Sequence, residues 1–195
     1  MTSSTAIIQP GSIIDEDTLV SELSYDAEYA SWLGSLDAIL VLGGGVPLSP
    51  IEPPIYVQRR CDVVARLFDF LRKKKQQHPT QEKDESSFPF IICLSAGTAH
   101  LPQYITPHNG LPLWESTASA AYLMQHTTYP IPEKYVFAET TSYDTISNAF
   151  FTRTSFTDVV GWKKLLVVTN EVRNNTVLEL FSESMLSVEC CFVSV

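Results

Sequence analysis

Three carboxylates and two runs of small residues hold most of the chemistry this chain could perform. Glu139 directly follows the apolar run Tyr135-Val136-Phe137-Ala138, and Glu171 lies just past Leu165-Leu166-Val167-Val168 and the pair Thr169-Asn170. Glu115 opens an alanine-containing segment after a long proline-bearing stretch. Carboxylates in such positions take ribose hydroxyls, hold a divalent cation, deprotonate a water or pair with an arginine. Glu115 also has a simpler reading, because a negative charge at a helix N-terminus stabilises by ~0.3–1 kcal/mol. A strand-end carboxylate such as Glu139 lacks that explanation and needs a partner.

The small-residue runs are Gly43-Gly44-Gly45 and Ser95-Ala96-Gly97, each at the end of an apolar run. Without side chains, the amides of Gly43, Gly44 and Gly45 can approach a phosphate or another anion, although a tight turn with no ligand explains a glycine run equally well. The dinucleotide fingerprint fails, since Leu48 stands where its third glycine belongs and Ser95 where an acidic ribose ligand belongs. Ser95 does not match a nucleophile elbow either, because Cys93 fills the first glycine position of that motif. Ser95 and Gly97 are therefore expected to shape a ligand site with backbone, with His100 and His108 as the only nearby candidate bases. Arg59, Arg60 and Arg173 are candidate clamps for a carboxylate or phosphate, with at least one of the first two expected at the surface. The run Arg72-Lys73-Lys74-Lys75 reads as a solvated helix C-terminus.

These residues need elements to position them. Short apolar runs at 37–42, 88–94, 134–138, 163–168 and 186–193 read as about five strands. Helical patterns at about 54–75, 115–126, 144–155 and 172–184 alternate with them. Val57, Val64, Leu67, Phe68 and Leu71 are spaced for one buried helix face. The alternation predicts a doubly wound α/β domain with a mostly parallel sheet over residues 36–195 and helices on both faces. Residues 1–35 are expected to form an N-terminal helical extension packed on it. Residues 76–88 are polar and read as a mobile surface loop, and residues 98–113 as a long loop that can serve as a lid. Ligands of such sheets bind outside the carboxyl ends of the strands, where all the polar clusters converge.

The chain has 195 residues, 45% hydrophobic, which suits a single domain with a sizeable core. Its formal charge of -9 works against nucleic-acid binding. No apolar run approaches the ~18 residues of a membrane span, and the N-terminus has no secretory pattern, so a cytoplasmic location is expected. Cys61, Cys93, Cys190 and Cys191 show neither a C-x-x-C motif nor zinc spacing and read as small buried hydrophobes.

The ordered set of motifs resembles the YdcF/SanA/ElyC-like family of α/β proteins. The matching residues are Gly43 to Gly45, Ser95 and Gly97, Glu115, then Glu139, Ser142, Thr145, Asn148 and Ala149, then Thr169, Asn170 and Glu171. The resemblance spans roughly residues 36–183 and implies a Rossmann-like fold. It implies S-adenosylmethionine as a candidate ligand, since some members bind it. Bacterial relatives linked to cell-envelope work often carry membrane helices, which this chain lacks, so that role is not carried over. Two departures stand out. Arg173 and Thr176 occupy positions where many members have His and Arg, and Ser147 replaces a common acidic residue. An arginine stays protonated, so a proton-transfer role at position 173 is lost.

The expected function is binding of a small anionic or nucleotide-like ligand at the strand-end crevice. Gly43, Gly44, Gly45, Ser95 and Gly97 would supply backbone donors, and Glu139 would take hydroxyls or a metal-bound water. Ser142, Thr145, Thr169 and Asn170 would line the ligand, Asn148 would tie neighbouring loops, and Arg173 would neutralise ligand charge. As an enzyme the protein would be a transferase using a nucleotide or S-adenosylmethionine, or a hydrolase in which Glu115, Glu139 and Glu171 act with a divalent cation. The alternative is a non-catalytic ligand sensor or scaffold. Either would be a monomer or homodimer, with no nucleic-acid or membrane partner.

Overall fold

The computed structural model describes residues 12–15, 27–77, 88–170 and 188–195, together with residues 179, 181 and 185. Six parallel strands form one sheet: β1 (Ile13–Asp15), β2 (Ala38–Val41), β3 (Phe90–Cys93), β6 (Val136–Ala138), β7 (Lys164–Thr169) and β8 (Glu189–Ser194), in the order β1-β8-β7-β2-β3-β6. Starting from β2, the chain adds β3 and β6 on one side, then crosses back to add β7 and β8 on the other. That is the Rossmann-like strand order, and its direction reverses between β2 and β7. The sixth strand was not expected. Ile13–Asp15 pairs with β8, Ile13 opposite Phe192, at the sheet edge. Three residues are too few to show an alternating pattern, so nothing in the sequence distinguishes this strand from a loose terminus.

Both faces of the sheet are covered, as parallel sheets require. Along β2 the side chains alternate. Ile39 and Val41 enter a core with Val57, Cys61, Val64, Leu67 and Phe68, while Ala38 and Leu40 enter a second core with Ala149, Trp162, Phe181 and Met185. The first core is closed by α1 (Ala27–Gly34), α2 (Ile55–Gln77) and α3 (Glu115–Gln125), the second by α4 (Thr145–Thr152). Pro53 and Pro54 precede α2, where Pro54 O accepts from the N–H groups of Val57 and Gln58 at 2.8 and 2.9 Å. The proline-rich stretch thus starts the helix and supplies its first acceptors.

Helix α4 is capped by Asp144, which accepts from Ser147 N–H at 2.7 Å, while Ser147 Oγ accepts from Asp144 N–H at 3.0 Å. The helix does not stop near residue 155. It passes through a π-turn (Arg153–Thr157) into Asp158–Val160 and ends at Gly161, whose φ of 84° provides the left-handed cap. The long segment at 98–113 contains a small antiparallel hairpin, β4 (Tyr104–Ile105) and β5 (Pro112–Leu113), anchored by Gln103 Nε2, which donates to Ala96 O and Leu113 O at 2.9 and 3.0 Å. The surface loop expected at 76–88 and the helix expected at 172–184 fall mostly outside the described residues, as does the first part of the N-terminal helical pattern. Among the described residues no helix is long and apolar enough to cross a membrane.

Candidate functional site

A cleft of about 590 Å³ opens where β2, β3 and β7 end. It sits at the reversal of strand order between β2 and β7, where open sheets of this kind bind their ligands. One wall is the loop of Gly43, Gly44 and Gly45, and another is the turn of Ser95 and Gly97. The first turn of α4 brings Thr145 and Asn148, and the end of β7 brings Thr169 and Asn170. The structure thus gathers these expected residues around one space. Glu115, Glu139 and Ser142 lie buried in the layer beneath the cleft wall. Glu171 and Arg173 lie outside the described residues.

Packing accounts for the glycines more than ligand approach does. A Cβ on Gly43 would stand 2.3 Å from Leu94 O and 2.7 Å from Ser95 Cβ, because the loops after β2 and β3 touch there. A Cβ on Gly97 would stand 2.7 Å from Gln103 Oε1. Gly45 has φ 81° and lies under the Tyr56 hydroxyl, which donates to Gly44 O at 2.8 Å. One amide of this loop is already engaged: Gly45 N–H donates to Thr98 Oγ1 at 3.1 Å.

Glu115 is tied to the glycine loop through Thr98, whose hydroxyl oxygen accepts from Gly45 N–H. It accepts from Ser95 Oγ and Thr98 Oγ1, each at 2.9 Å. Burial pushes its carboxyl pKa up, and these hydrogen bonds partly oppose the shift. Ser95 is held in a left-handed conformation, φ 95°, that costs a non-glycine residue ~1–3 kcal/mol. Its neighbours determine that backbone: Ser116 N–H donates to Ser95 O at 2.8 Å, and Ala96 N–H to Ser142 O at 2.7 Å. The Ser95 hydroxyl is placed against Gly97 O and Glu115, not against a histidine. His100 lines the mouth of the cleft and is exposed, and His108 is exposed in the hairpin loop.

Glu139 finds its partners within the protein. Its carboxylate accepts from the N–H groups of Thr141, Ser142 and Ser95 and from the Ser142 hydroxyl. It pins the loop after β6 to the loop after β3, across 44 residues of sequence. The Ser142 hydroxyl in turn meets Asn148 of α4.

Arg60 is a cleft residue that sequence alone sets beside Arg59 as an equal candidate. It is 5% exposed and donates to Leu42 O, to Gly43 O at 3.1 Å and to Asn170 Oδ1. Arg59 is exposed. Helix phase distinguishes them, since position 60 lies three residues after Val57 and four before Val64, on the buried face. Tyr56, Thr98 and Asp144 also line the cleft. Accepting Ser147 N–H holds the Asp144 carboxyl below the usual range. Among the described residues no group of three or more His, Cys, Asp or Glu side chains is placed to hold a metal ion. Comparison with protein-family models, with curated proteins and with solved structures gives no match to this chain.

Proposed function

We propose that the cleft binds a small anionic or nucleotide-like ligand, with S-adenosylmethionine the first candidate that the YdcF-like motif set suggests. The observation that carries this reading is the cleft itself: about 590 Å³ at the reversal of strand order, within the ~300–1,000 Å³ range of small-molecule sites. Arg60 supports the anionic part, bringing a permanent positive charge to the wall. Thr145, Thr169 and Asn170 supply polar side chains around it.

The hydrogen bonding favours binding over turnover. The Glu115 and Glu139 carboxylates are buried beneath the cleft wall and already engaged by donors of the protein. A non-catalytic ligand sensor is accordingly the reading we favour over a transferase. A hydrolase using a divalent cation would need Glu171 beside Glu115 and Glu139, and Glu171 lies outside the described residues.

Thermal-shift titration of the purified chain with S-adenosylmethionine, nucleotides and sugar phosphates tests the proposal. A ligand at 100 times its Kd adds ~2.7 kcal/mol of stability, a rise of roughly 5–10 °C for a chain of this size. Thr145→Trp, which fills the cleft from a half-buried position, should abolish that rise. No shift with any compound, or a shift that survives Thr145→Trp, would refute binding here.

A further inference from the structure

Asn148 is 5% exposed, lines the cleft, and has the carbonyl end of its side-chain amide, Oδ1, placed against the Ser142 hydroxyl. That hydroxyl also lies against Glu139 Oε2. A hydroxyl has one proton and cannot donate to both neighbours at once. Glu139, as a carboxylate, only accepts, and a bond to a charged acceptor is roughly twice as strong as one to a neutral amide oxygen. Glu139 therefore takes the proton. The Ser142 oxygen is left with lone pairs facing Asn148, and an amide carbonyl placed there would be repelled. The amide NH2 placed there would instead donate.

We infer that Glu139, acting through Ser142, turns the Asn148 amide end for end from that placement, so that its NH2 rests on Ser142 and its carbonyl oxygen faces the cleft; the two ends of an amide fill the same outline, and the hydrogen-bond network decides between them. The outward end of the amide has no protein partner among the described residues. Nor is it sealed in the interior, since the only fully buried side-chain polar atom without a partner among those residues is Ser116 Oγ. An outward carbonyl accepts and cannot donate. At this point the cleft selects a ligand group that donates a hydrogen bond, a hydroxyl or an amine, and disfavours a phosphate or carboxylate oxygen. The nearby Thr145 hydroxyl, half-buried on the same turn and with no hydrogen-bond partner among the described residues, adds a second contact suited to a polyhydroxylated or amino-bearing group. The inference rests on the ligand-binding reading above and deepens it. The sugar or base of a nucleoside would lie against α4, leaving any anionic group to the Arg60 side.

The orientation can be read without any ligand. In nuclear Overhauser spectra of the 15N-labelled chain, the Asn148 side-chain amide protons should show contacts to the Ser142 β-protons and slow exchange with water. Amide protons without those contacts and in rapid exchange would overturn the inference. Titration then uses adenosine and inorganic phosphate as probes. Adenosine should bind and lose about 2- to 10-fold in affinity in Asn148→Leu, the effect of one hydrogen bond, while phosphate binding stays unchanged. Phosphate binding that weakens in Asn148→Leu while adenosine binding does not would overturn the selectivity. The predicted orientation with neither probe bound would overturn the ligand-binding reading of the cleft and leave the amide orientation standing.

Discussion

Replacing Gly43 by alanine tests whether packing or a ligand demands the glycine run. The added Cβ would lie 2.3 Å from Leu94 O and 2.7 Å from Ser95 Cβ. Neither is the far end of a flexible side chain, so the backbones of two neighbouring strand ends must separate. Leu94 N–H donates to Val41 O at 2.9 Å just before the contact, so separation also strains the β2–β3 ladder. Overpacking of this kind costs ~1–3 kcal/mol where side chains can give way, and occasionally more; with backbone on both sides we expect the upper end, about 3 kcal/mol. At roughly 2–4 °C per kcal/mol, Gly43→Ala should melt about 6–12 °C lower than the parent. Gly34 is the matched control. It is the last residue of α1, has nothing within 4 Å of the point where a methyl group would sit and no left-handed φ, so Gly34→Ala should raise stability by ~0.5–1 kcal/mol. Urea unfolding of both variants, followed by circular dichroism, gives the two free energies. A Gly43→Ala variant within about 0.5 kcal/mol of the parent would refute the packing account and return the glycine to a ligand role.

Further measurements address the charged residues. Burial raises the Glu115 carboxyl pKa, so the native state holds this proton more tightly than the unfolded chain; its stabilising effect is full below the ordinary carboxylate range near ~4.3 and is lost as pH rises through the folded value. Stability curves against pH should therefore slope less steeply downward above that range in Glu115→Gln than in the parent, and parallel curves would refute the shift. Asp144→Ala should cost ~1 kcal/mol through loss of the α4 cap, with Asp144→Asn largely spared, as read by thermal unfolding at neutral pH. Because the Asp144 pKa is lowered, that contribution should be present above the ordinary carboxylate range and fade as pH falls through the folded value. Arg60→Leu leaves Leu42 O and Gly43 O without their donor and should cost ~2–3 kcal/mol, whereas Arg59→Leu should stay within ~0.5 kcal/mol; equal effects in denaturant titration would contradict the burial difference.

Local patterns in the chain determined the alternating strands and helices, the parallel sheet and the edge at which the polar clusters meet. Strand β2 is a run of four buried residues, α2 repeats its apolar face every three or four residues, and Pro54 marks where that helix begins. Each signal needs only neighbours within a turn or a strand, so it survives in one dimension. The phase of Arg60 against Val57 and Val64 was there in the chain, yet Arg59 and Arg60 stood as equal candidates until the fold buried one and exposed the other. The N-terminal strand was not legible, because Ile13–Asp15 acquires its meaning only beside β8, far along the chain. The carboxylates depended most on tertiary structure. Glu115 and Glu139 look alike as strand-end or helix-start acids. What each does follows from donors delivered by other loops: Ser95 and Thr98 for one, Ser95 and Ser142 for the other. A carboxylate's role depends on which donors reach its oxygens, and only the folded register of β2, β3 and β6 brings those donors within hydrogen-bond reach.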